Sequence, residues 1–214
     1  AVDPNVGSSE LDVPGDGRIV VACKATPGAT SGWHYELAVY NMNSDRAVGG
    51  VTVLLPASAT ALNLEFHDVD YHSGEPYSGT DWAGSATPAG AHWETASYAS
   101  DPNANALRWG TLYNFRFDSS AAPTFVTQAE VSLFKPGTPA SMVVVLDQGP
   151  YRLGDLNCDG IVSFDDINPF IEALSDPAAW PALHPNCPLV NGDINGDGTV
   201  DFDDINAFVA LLNA

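Results

Sequence analysis

The chain contains the same twelve-residue pattern twice, at Asp155–Asp166 and again 38 positions later at Asp193–Asp204. Each copy has Asp, Asn and Asp at positions 1, 3 and 5, glycine at position 6 and Asp at position 12. A loop of this length can surround a hard cation with oxygen ligands from positions 1, 3, 5, 7, 9 and 12, and glycine permits the sharp turn. Two copies in register therefore predict two Ca²⁺-binding loops.

The predicted ligands are side-chain oxygens, except for a backbone carbonyl at position 7. In the first loop they are Asp155, Asn157, Asp159, the Ile161 carbonyl, Ser163 (directly or through water) and Asp166. In the second loop they are Asp193, Asn195, Asp197, the Thr199 carbonyl, Asp201 and Asp204.

A short amphipathic helix is predicted after each loop, and no helical pattern precedes either loop. The apolar positions at helical spacing are Ile167, Phe170, Ile171 and Leu174, then Ile205, Phe208, Val209 and Leu212. A full EF-hand has a helix on both sides of its loop. Tandem loops with an exiting helix only resemble the type I dockerin, over roughly residues 154–214. The resemblance implies a small helical module with two Ca²⁺ ions that binds a cohesin, itself a β-sandwich domain.

Dockerins usually recognise cohesin through a Ser/Thr pair at loop positions 10 and 11. Those positions here hold Phe164-Asp165 and Phe202-Asp203. The resemblance assigns partner binding to these four residues and implies a partner other than a standard cohesin. The alternative is that both phenylalanines fill the small core between the helices. The near-identity of the repeats would let the module present similar faces in two orientations.

Three cysteines leave an odd count. Cys158 occupies a non-ligand loop position, Cys187 lies between the repeats, and a thiolate is an unsuitable ligand for Ca²⁺. A Cys158–Cys187 disulfide is therefore predicted, which would attach the segment between the repeats to the first loop. Cys23 lies in an apolar run and is expected to be a buried thiol rather than part of an intermolecular bridge.

The charge balance excludes several classes of partner. The chain has 27 acidic and 7 basic residues, a net charge of −20, which argues against nucleic acid and anionic membrane surfaces as partners.

No apolar run is long enough to span a bilayer. A start at Ala1 without a signal peptide fits a mature exported protein, so an extracellular location is expected.

Residues 1–149 are predicted to form a β-sandwich, and residues 150–214 the dockerin-like module. Alternating apolar residues, as in the run from Trp33 to Tyr40, indicate eight or nine short strands. The other predicted strands contain Val51–Leu55, Leu62–Phe66, Leu107–Phe117, Val131–Leu133, Met142–Leu146 and part of Pro14–Lys24. Residues 1–13 show no core of their own and are a candidate strand for a neighbouring sheet.

The N-terminal region also looks similar to domains of secreted bacterial proteins that end in a dockerin. The similarity rests on the runs Tyr35–Asn41, Phe66–Tyr71 and Leu133–Gly137. It supports secretion and a modular organisation, and no activity is inferred from it.

Two features of this region are candidates for further sites. The segment His67–Asp81 contains side chains suited to an ion or to carboxylate catalysis, or is a polar loop bonded to its own backbone. The side chains are His67, Asp68, Asp70, His72, Glu75 and Asp81. Four aromatic residues, Trp82, Trp93, Tyr98 and Trp109, are either core residues or a platform for stacking sugars.

Two functions stay open on these grounds. In the first, the protein is a non-catalytic extracellular structural protein whose module docks onto a β-sandwich of a neighbouring copy, forming a fibre. In the second, it is a carbohydrate-binding component delivered to a cohesin-bearing scaffold protein. An enzyme is not expected, because no catalytic spacing or nucleophile motif is present.

Overall fold

The computed structural model of the protein describes residues 3, 5–28, 32–71, 74–149 and 151–213. The chain divides into two compact units, Ala1–Asp147 and Gln148–Ala214. The division lies two residues before the boundary suggested by the sequence pattern.

The first unit is mainly β and consists of two antiparallel sheets. Its ten strands in the described residues are β1 (Val6–Asp12), β2 (Arg18–Pro27), β3 (Trp33–Asn41), β4 (Val48–Leu54), β5 (Ala61–His67), β6 (Ala83–Thr87), β7 (Gly90–Glu94), β8 (Leu112–Ser119), β9 (Gln128–Leu133) and β10 (Ser141–Val145). One sheet has the order β1-β2-β3-β8-β5 and the other β10-β9-β4-β7-β6.

The core lies between the inner faces of these sheets. Alternate residues of β3 and β8 point inward, as a period-two pattern requires, so Tyr35 in β3 and Phe115 and Phe117 in β8 are fully buried. Trp93 in β7 lies across from them, with its ring centroid 5.4 Å from Phe115 and 6.0 Å from Phe117. The arrangement is sandwich-like, as the sequence pattern predicts.

The N-terminal segment was expected to lack a core, and this was wrong. Strand β1 pairs with β2 from Val6↔Lys24 to Asp12↔Arg18, and Leu11 and Val13 are buried. Gly7 is buried as well, and a Cβ atom at this position would collide with the Asp147 carbonyl oxygen. A glycine at a buried strand position weakens the apolar alternation, so the pattern gives little sign of a strand. Ala1, Val2 and Pro4 lie outside the described residues.

Two other strand predictions need correction. The long run from Leu107 to Phe117 is interrupted, because Gly110 has a φ of 77° and β8 begins only at Leu112. Leu107 instead forms an isolated bridge with Val48. In β5, a register shift between Leu62 and Glu65 accompanies a φ of 50° at Asn63, and Leu62 is exposed. A bulge changes which face later residues occupy, and sequence alternation does not reveal it.

The described part of the second unit, residues 148–149 and 151–213, contains three short α-helices: α1 (Ile167–Ser175), α2 (Trp180–Leu183) and α3 (Ile205–Leu211). The 3₁₀ turns Phe164–Asp166 and Phe202–Asp204 lead directly into α1 and α3. Phe170 and Phe208 pack together with ring centroids 4.4 Å apart at the centre of a small core with Leu156, Ala173 and Trp180. Helix α2 was not predicted, since its Trp-Pro-Ala-Leu sequence is too short to show a period.

Within the described ranges, no helix has the length and apolar character needed to cross a membrane.

Candidate metal-binding and docking site

The first predicted calcium loop is folded by hydrogen bonds from its own backbone to its Asp and Asn side chains. Asn157 Oδ1 accepts from the Asp159 N–H (2.9 Å), and Asp159 Oδ1 accepts from the Ile161 N–H (2.8 Å). Asp155 Oδ2 accepts from the Gly160 N–H across the loop (2.9 Å). The first two bonds are Asx turns in series, and the third connects position 1 to position 6 of the same loop.

The second loop repeats these hydrogen bonds at equivalent atoms. Asn195 Oδ1 accepts from the Asp197 N–H (2.9 Å), and Asp197 Oδ1 accepts from the Thr199 N–H (2.9 Å). Asp193 Oδ2 accepts from the Gly198 N–H at 3.0 Å. The sequence repeat is therefore a structural repeat.

The Asp at position 12 closes each loop. Asp166 Oδ1 accepts from the N–H groups of Leu156 (2.8 Å) and Asn157 (3.0 Å), and its Oδ2 accepts from Ser163 (2.8 Å). Asp204 makes the equivalent bonds to Ile194, Asn195 and Asp201 at 2.7, 2.9 and 3.0 Å. Both carboxylates are completely buried. They also complete a capping box at the start of the following helix.

The oxygen groups of the first loop fit a hard cation. Asp155 is 3% exposed, and its Oδ1 is a buried oxygen with no hydrogen-bond partner. An unpartnered buried carboxylate oxygen is costly, and a divalent cation bound by the loop would supply the missing interaction. Asn157, Asp159, the Ile161 carbonyl, Ser163 and Asp166 are the other residues that could hold it. A bound cation would offset the repulsion among these carboxylates.

Position 1 has the same electrostatic character in both loops. Burial raises the pKa of Asp155 and of Asp193, although the hydrogen bonds from Gly160 and Gly198 oppose this effect. The negative charges of Asp166 and Asp204 raise these pKa values further.

No cluster of three or more His, Cys, Asp or Glu side chains that could hold a metal ion is found among the residues that the structure describes. In these loops amide, hydroxyl and carbonyl oxygens would have to complete the ligand set.

A disulfide joins Cys158 to Cys187, with the Cα atoms 5.6 Å apart, as the sequence predicts. Cys158 has a φ of 56°, and its equivalent in the second loop, Gly196, has a φ of 78°. Position 4 of the loop thus requires the left-handed backbone that favours glycine. Cys23 is buried in β2.

Two residues that support the first loop were missed by the sequence argument. Asn191 is fully buried; its Nδ2 donates to the Asp155 carbonyl (2.7 Å), and its Oδ1 accepts from the Arg152 N–H (3.1 Å). Trp180 donates its indole N–H to the Cys187 carbonyl at 2.7 Å. The Asn191 contacts span 36 and 39 positions, so no local pattern predicts them, and the Trp180 contact spans seven positions in a segment with no periodic pattern.

The predicted partner-binding residues are exposed. Phe164 and Phe202 are 72% and 74% exposed, so the alternative that they fill the core between the helices is wrong. Asp165 and Asp203 are also exposed.

Each phenylalanine starts a row of apolar residues at spacing i, i+3, i+7. We call these rows the apolar stripes; they are Phe164–Ile167–Ile171 and Phe202–Ile205–Val209. Ile171 and Val209 were expected on the buried helix face, but both are exposed, because Phe170 and Phe208 occupy the core.

Two residues of the segment His67–Asp81, Asp68 and Thr80, contact the buried side chain of Asn105. Asn105 Nδ2 donates to Asp68 and to the Thr80 carbonyl (3.0 Å), while its Oδ1 accepts from the Tyr113 hydroxyl (2.6 Å). Asp68 thus bonds to a distant side chain rather than to its own backbone. His72 lies outside the described residues.

The proposed sugar platform of four aromatic residues is not formed. Trp82 and Trp93 are buried in the core of the first unit, and Tyr98 packs edge-on against Phe134. Trp109 alone of the four is exposed. Alternation identifies strand residues well, but it does not tell which aromatic residues face the core.

Comparison with protein-family models, with curated proteins and with solved structures finds no significant match to this chain.

Proposed function

We propose that the protein is a non-catalytic extracellular structural protein, and that its C-terminal unit is a calcium-stabilised, dockerin-like module that attaches it to a β-sandwich domain of another molecule. The observation that carries this proposal is the pair of apolar stripes. Each begins at loop position 10 and runs along the following helix at equivalent positions of the two repeats.

The stripes have the composition expected of a binding surface. A large aromatic side chain left in water forgoes about 1.5–3 kcal/mol that burial would supply, and aromatic residues dominate interface energetics. Asp165 and Asp203 stand beside the phenylalanines, where exposed carboxylates can act as a polar rim. Duplication gives the module two such surfaces, so one partner site can accept it in two orientations.

Calcium is assigned to the module because both stripes start inside a loop that the metal would organise. The Phe164 and Phe202 backbones belong to the 3₁₀ turns closed by Asp166 and Asp204. Two Ca²⁺ ions would therefore set the direction of both phenylalanines. An extracellular location is supported by the disulfide and by the abundance of calcium outside cells.

The partner is proposed to be the sandwich-like unit of a neighbouring copy, which would give a fibre, or a cohesin-like domain of a separate scaffold. A contact between different surfaces of identical chains propagates unless rotation closes a ring. The version in which the N-terminus donates a strand is not retained, since β1 already pairs with β2 in its own sheet.

The test is particle mass and shape, by light scattering and negative-stain microscopy, in Ca²⁺ and in excess chelator. Polymers in Ca²⁺ that dissociate on chelation are expected. F164A/F202A should remain monomeric in Ca²⁺, whereas L183A, which removes an exposed leucine outside the stripes, should polymerise normally. A wild-type monomer in both conditions contradicts the fibre. If this monomer also fails to bind a type I cohesin domain, docking onto a cohesin-bearing scaffold protein is contradicted too.

A further inference from the structure

A groove with a volume of about 390 Å³ lies on the sandwich-like unit, and neither the calcium loops nor the apolar stripes involve it. We call it the Trp109 groove. Its chemistry is set by Tyr77, Arg108 and Trp109 and by the carboxylates Asp45, Asp70 and Glu75. The volume falls within the range of about 300–1,000 Å³ of typical small-ligand sites.

The wall of the groove is held rigidly. The Arg108 guanidinium stacks over the Tyr77 ring with its carbon 4.0 Å from the centroid. The same group donates to the carbonyls of Pro102 (2.9 Å) and Ala104 (3.1 Å). Such contacts fix both side chains before any ligand arrives, which lowers the entropic cost of binding.

Trp109 is held outward by its turn. Its side chain is 69% exposed. This exposure is unfavourable, because burying the large apolar surface of an indole would stabilise the protein. The next residue, Gly110, has a φ of 77° and donates its N–H to the Asn41 carbonyl at 2.7 Å. The Thr111 hydroxyl donates to the Arg108 carbonyl at 2.6 Å. The backbone on both sides of Trp109 is thus fixed, and the exposed indole lines the groove.

The charges in the groove favour a neutral ligand rich in hydroxyl groups. Lys135 is paired with Asp45 at 2.7 Å, and Arg108 is engaged by Tyr77 and two carbonyls. Asp70 and Glu75 are exposed at the groove, and a carboxylate can accept several hydrogen bonds at once, so each can receive hydroxyl donors of a ligand in addition to its contacts within the protein. A polyanion would be repelled by these groups and by a chain of net charge −20.

We propose that the Trp109 groove binds a neutral saccharide, with a pyranose ring stacked on the Trp109 indole and its hydroxyl groups donating to Asp70 and Glu75. The apolar C–H face of a pyranose matches an exposed indole, and its hydroxyl groups match the carboxylates that line the same groove. The site differs from the four-residue platform expected from sequence, since Trp82 and Trp93 are in the core. It does not depend on the docking role proposed for the other unit.

The experiment is titration of the full-length chain in Ca²⁺ with cellohexaose, xylohexaose and chitohexaose. Binding is followed by calorimetry and by tryptophan fluorescence, and retardation in gels containing soluble glucans provides a second assay. At least one hexasaccharide should bind with a Kd below about 1 mM, and W109A should weaken it at least tenfold, about 1.4 kcal/mol. W109F, which keeps an aromatic face, should retain part of the affinity.

The matched control is L62A, which removes another exposed apolar side chain of the same unit and should leave binding unchanged. F164A/F202A should also bind saccharide like the wild type, so failure of docking and failure of this site are distinguishable. The proposal is overturned if no hexasaccharide binds, or if W109A binds as well as wild type. It is also overturned if W109A abolishes polymer formation while no saccharide binds, since the groove would then be a protein interface.

Discussion

At the scale of single residues, the two loops differ at position 4, where one has Cys158 and the other Gly196. Both residues have positive φ, which costs a non-glycine residue about 1–2 kcal/mol. The disulfide across 29 residues offsets this cost by restricting the unfolded chain.

Removing the disulfide is predicted to destabilise the second unit by about 3–4 kcal/mol. C158S/C187S should show the full loss, whereas C158G/C187S should recover about 1 kcal/mol because glycine accepts the left-handed backbone. The measurement is urea unfolding of both variants in saturating Ca²⁺, followed by the helical circular-dichroism signal. Equal stability of the two variants would show that the positive φ of Cys158 carries no cost.

The loops also differ at position 9, which is Ser163 in the first and Asp201 in the second. Both side chains accept the N–H of the residue two positions later, so either can start the 3₁₀ turn. Only the aspartate adds a charge to the ligand set, and calcium affinity rises with the number of charged ligands.

S163D is therefore predicted to raise the calcium affinity of the first loop by about tenfold, roughly 1.4 kcal/mol. The reciprocal variant D201S should weaken the second loop by a similar factor. Calorimetric titration of metal-free protein measures both effects. Similar affinities in S163D and wild type would mean that position 9 contacts the ion only through water.

At the scale of elements, the sequence pattern predicted the turns and strands whose formation depends mainly on residues close together in the chain. The calcium-loop turns involve side chains within a few positions of their partners, so the spacing of Asp155, Asn157 and Asp159 was sufficient. Strands β3 and β8 alternate strongly and were also identified. Strands β1, β6 and β7 were missed because Gly7, Gly84 and Gly90 occupy them, and glycine carries no hydrophobic signal.

The sequence did not reveal which aromatic side chains face the core and which face solvent. Whether Trp93 or Trp109 faces the core depends on the turn at Gly110 and on which strands become neighbours, and neither is visible in the local pattern. The same limit applies to Asn191, whose two partners lie about forty positions away.

Asp16 joins the β1–β2 turn to the turn before β4. Its carboxylate accepts from the Ser44 hydroxyl and from the N–H groups of Asp45 and Arg46, both at 3.1 Å. Burial acts to raise its pKa, but these hydrogen bonds and the Arg46 charge outweigh burial and hold the pKa below its usual value. The stability it contributes is therefore present above the unfolded pKa, near 4, and is lost as pH falls through the lower folded pKa.

D16N is predicted to destabilise the first unit by about 0.5–1 kcal/mol at pH 7, a figure reduced for solvent screening because Asp16 is exposed. The difference between wild type and D16N should shrink below about pH 4. Denaturant unfolding of both proteins from pH 7 to pH 2.5 measures that difference, and D45N serves as a control because it removes only a surface ion pair. A difference that stays constant with pH would contradict the assigned role of the Asp16 charge.

At the scale of the whole molecule, the two units are held by different forces. The first buries aromatic and branched side chains between two sheets. The second has a small core and carries eleven acidic residues against Arg152 alone. Without a bound cation its carboxylates repel one another, so its folding is expected to be coupled to calcium.

Chelation of Ca²⁺ is predicted to unfold the second unit and leave the first folded. Far-ultraviolet circular dichroism should lose its helical component and keep its strand component. The near-ultraviolet signal of the buried Trp82 and Trp93 should persist. Added NaCl should partly restore the helices by screening the carboxylates. Loss of both components together would show that the units fold as one.

The position of Cys158 inside a predicted calcium loop has a consequence for when the proposed docking module would become active. The disulfide holds position 4 of the loop that the cation would occupy, so we expect oxidation and metal binding each to favour the other. Both conditions are met together outside cells and neither in a reducing, calcium-poor cytosol. With docking assigned to this module, a newly made chain would remain unable to join its neighbours until it has been delivered to the place where it is used.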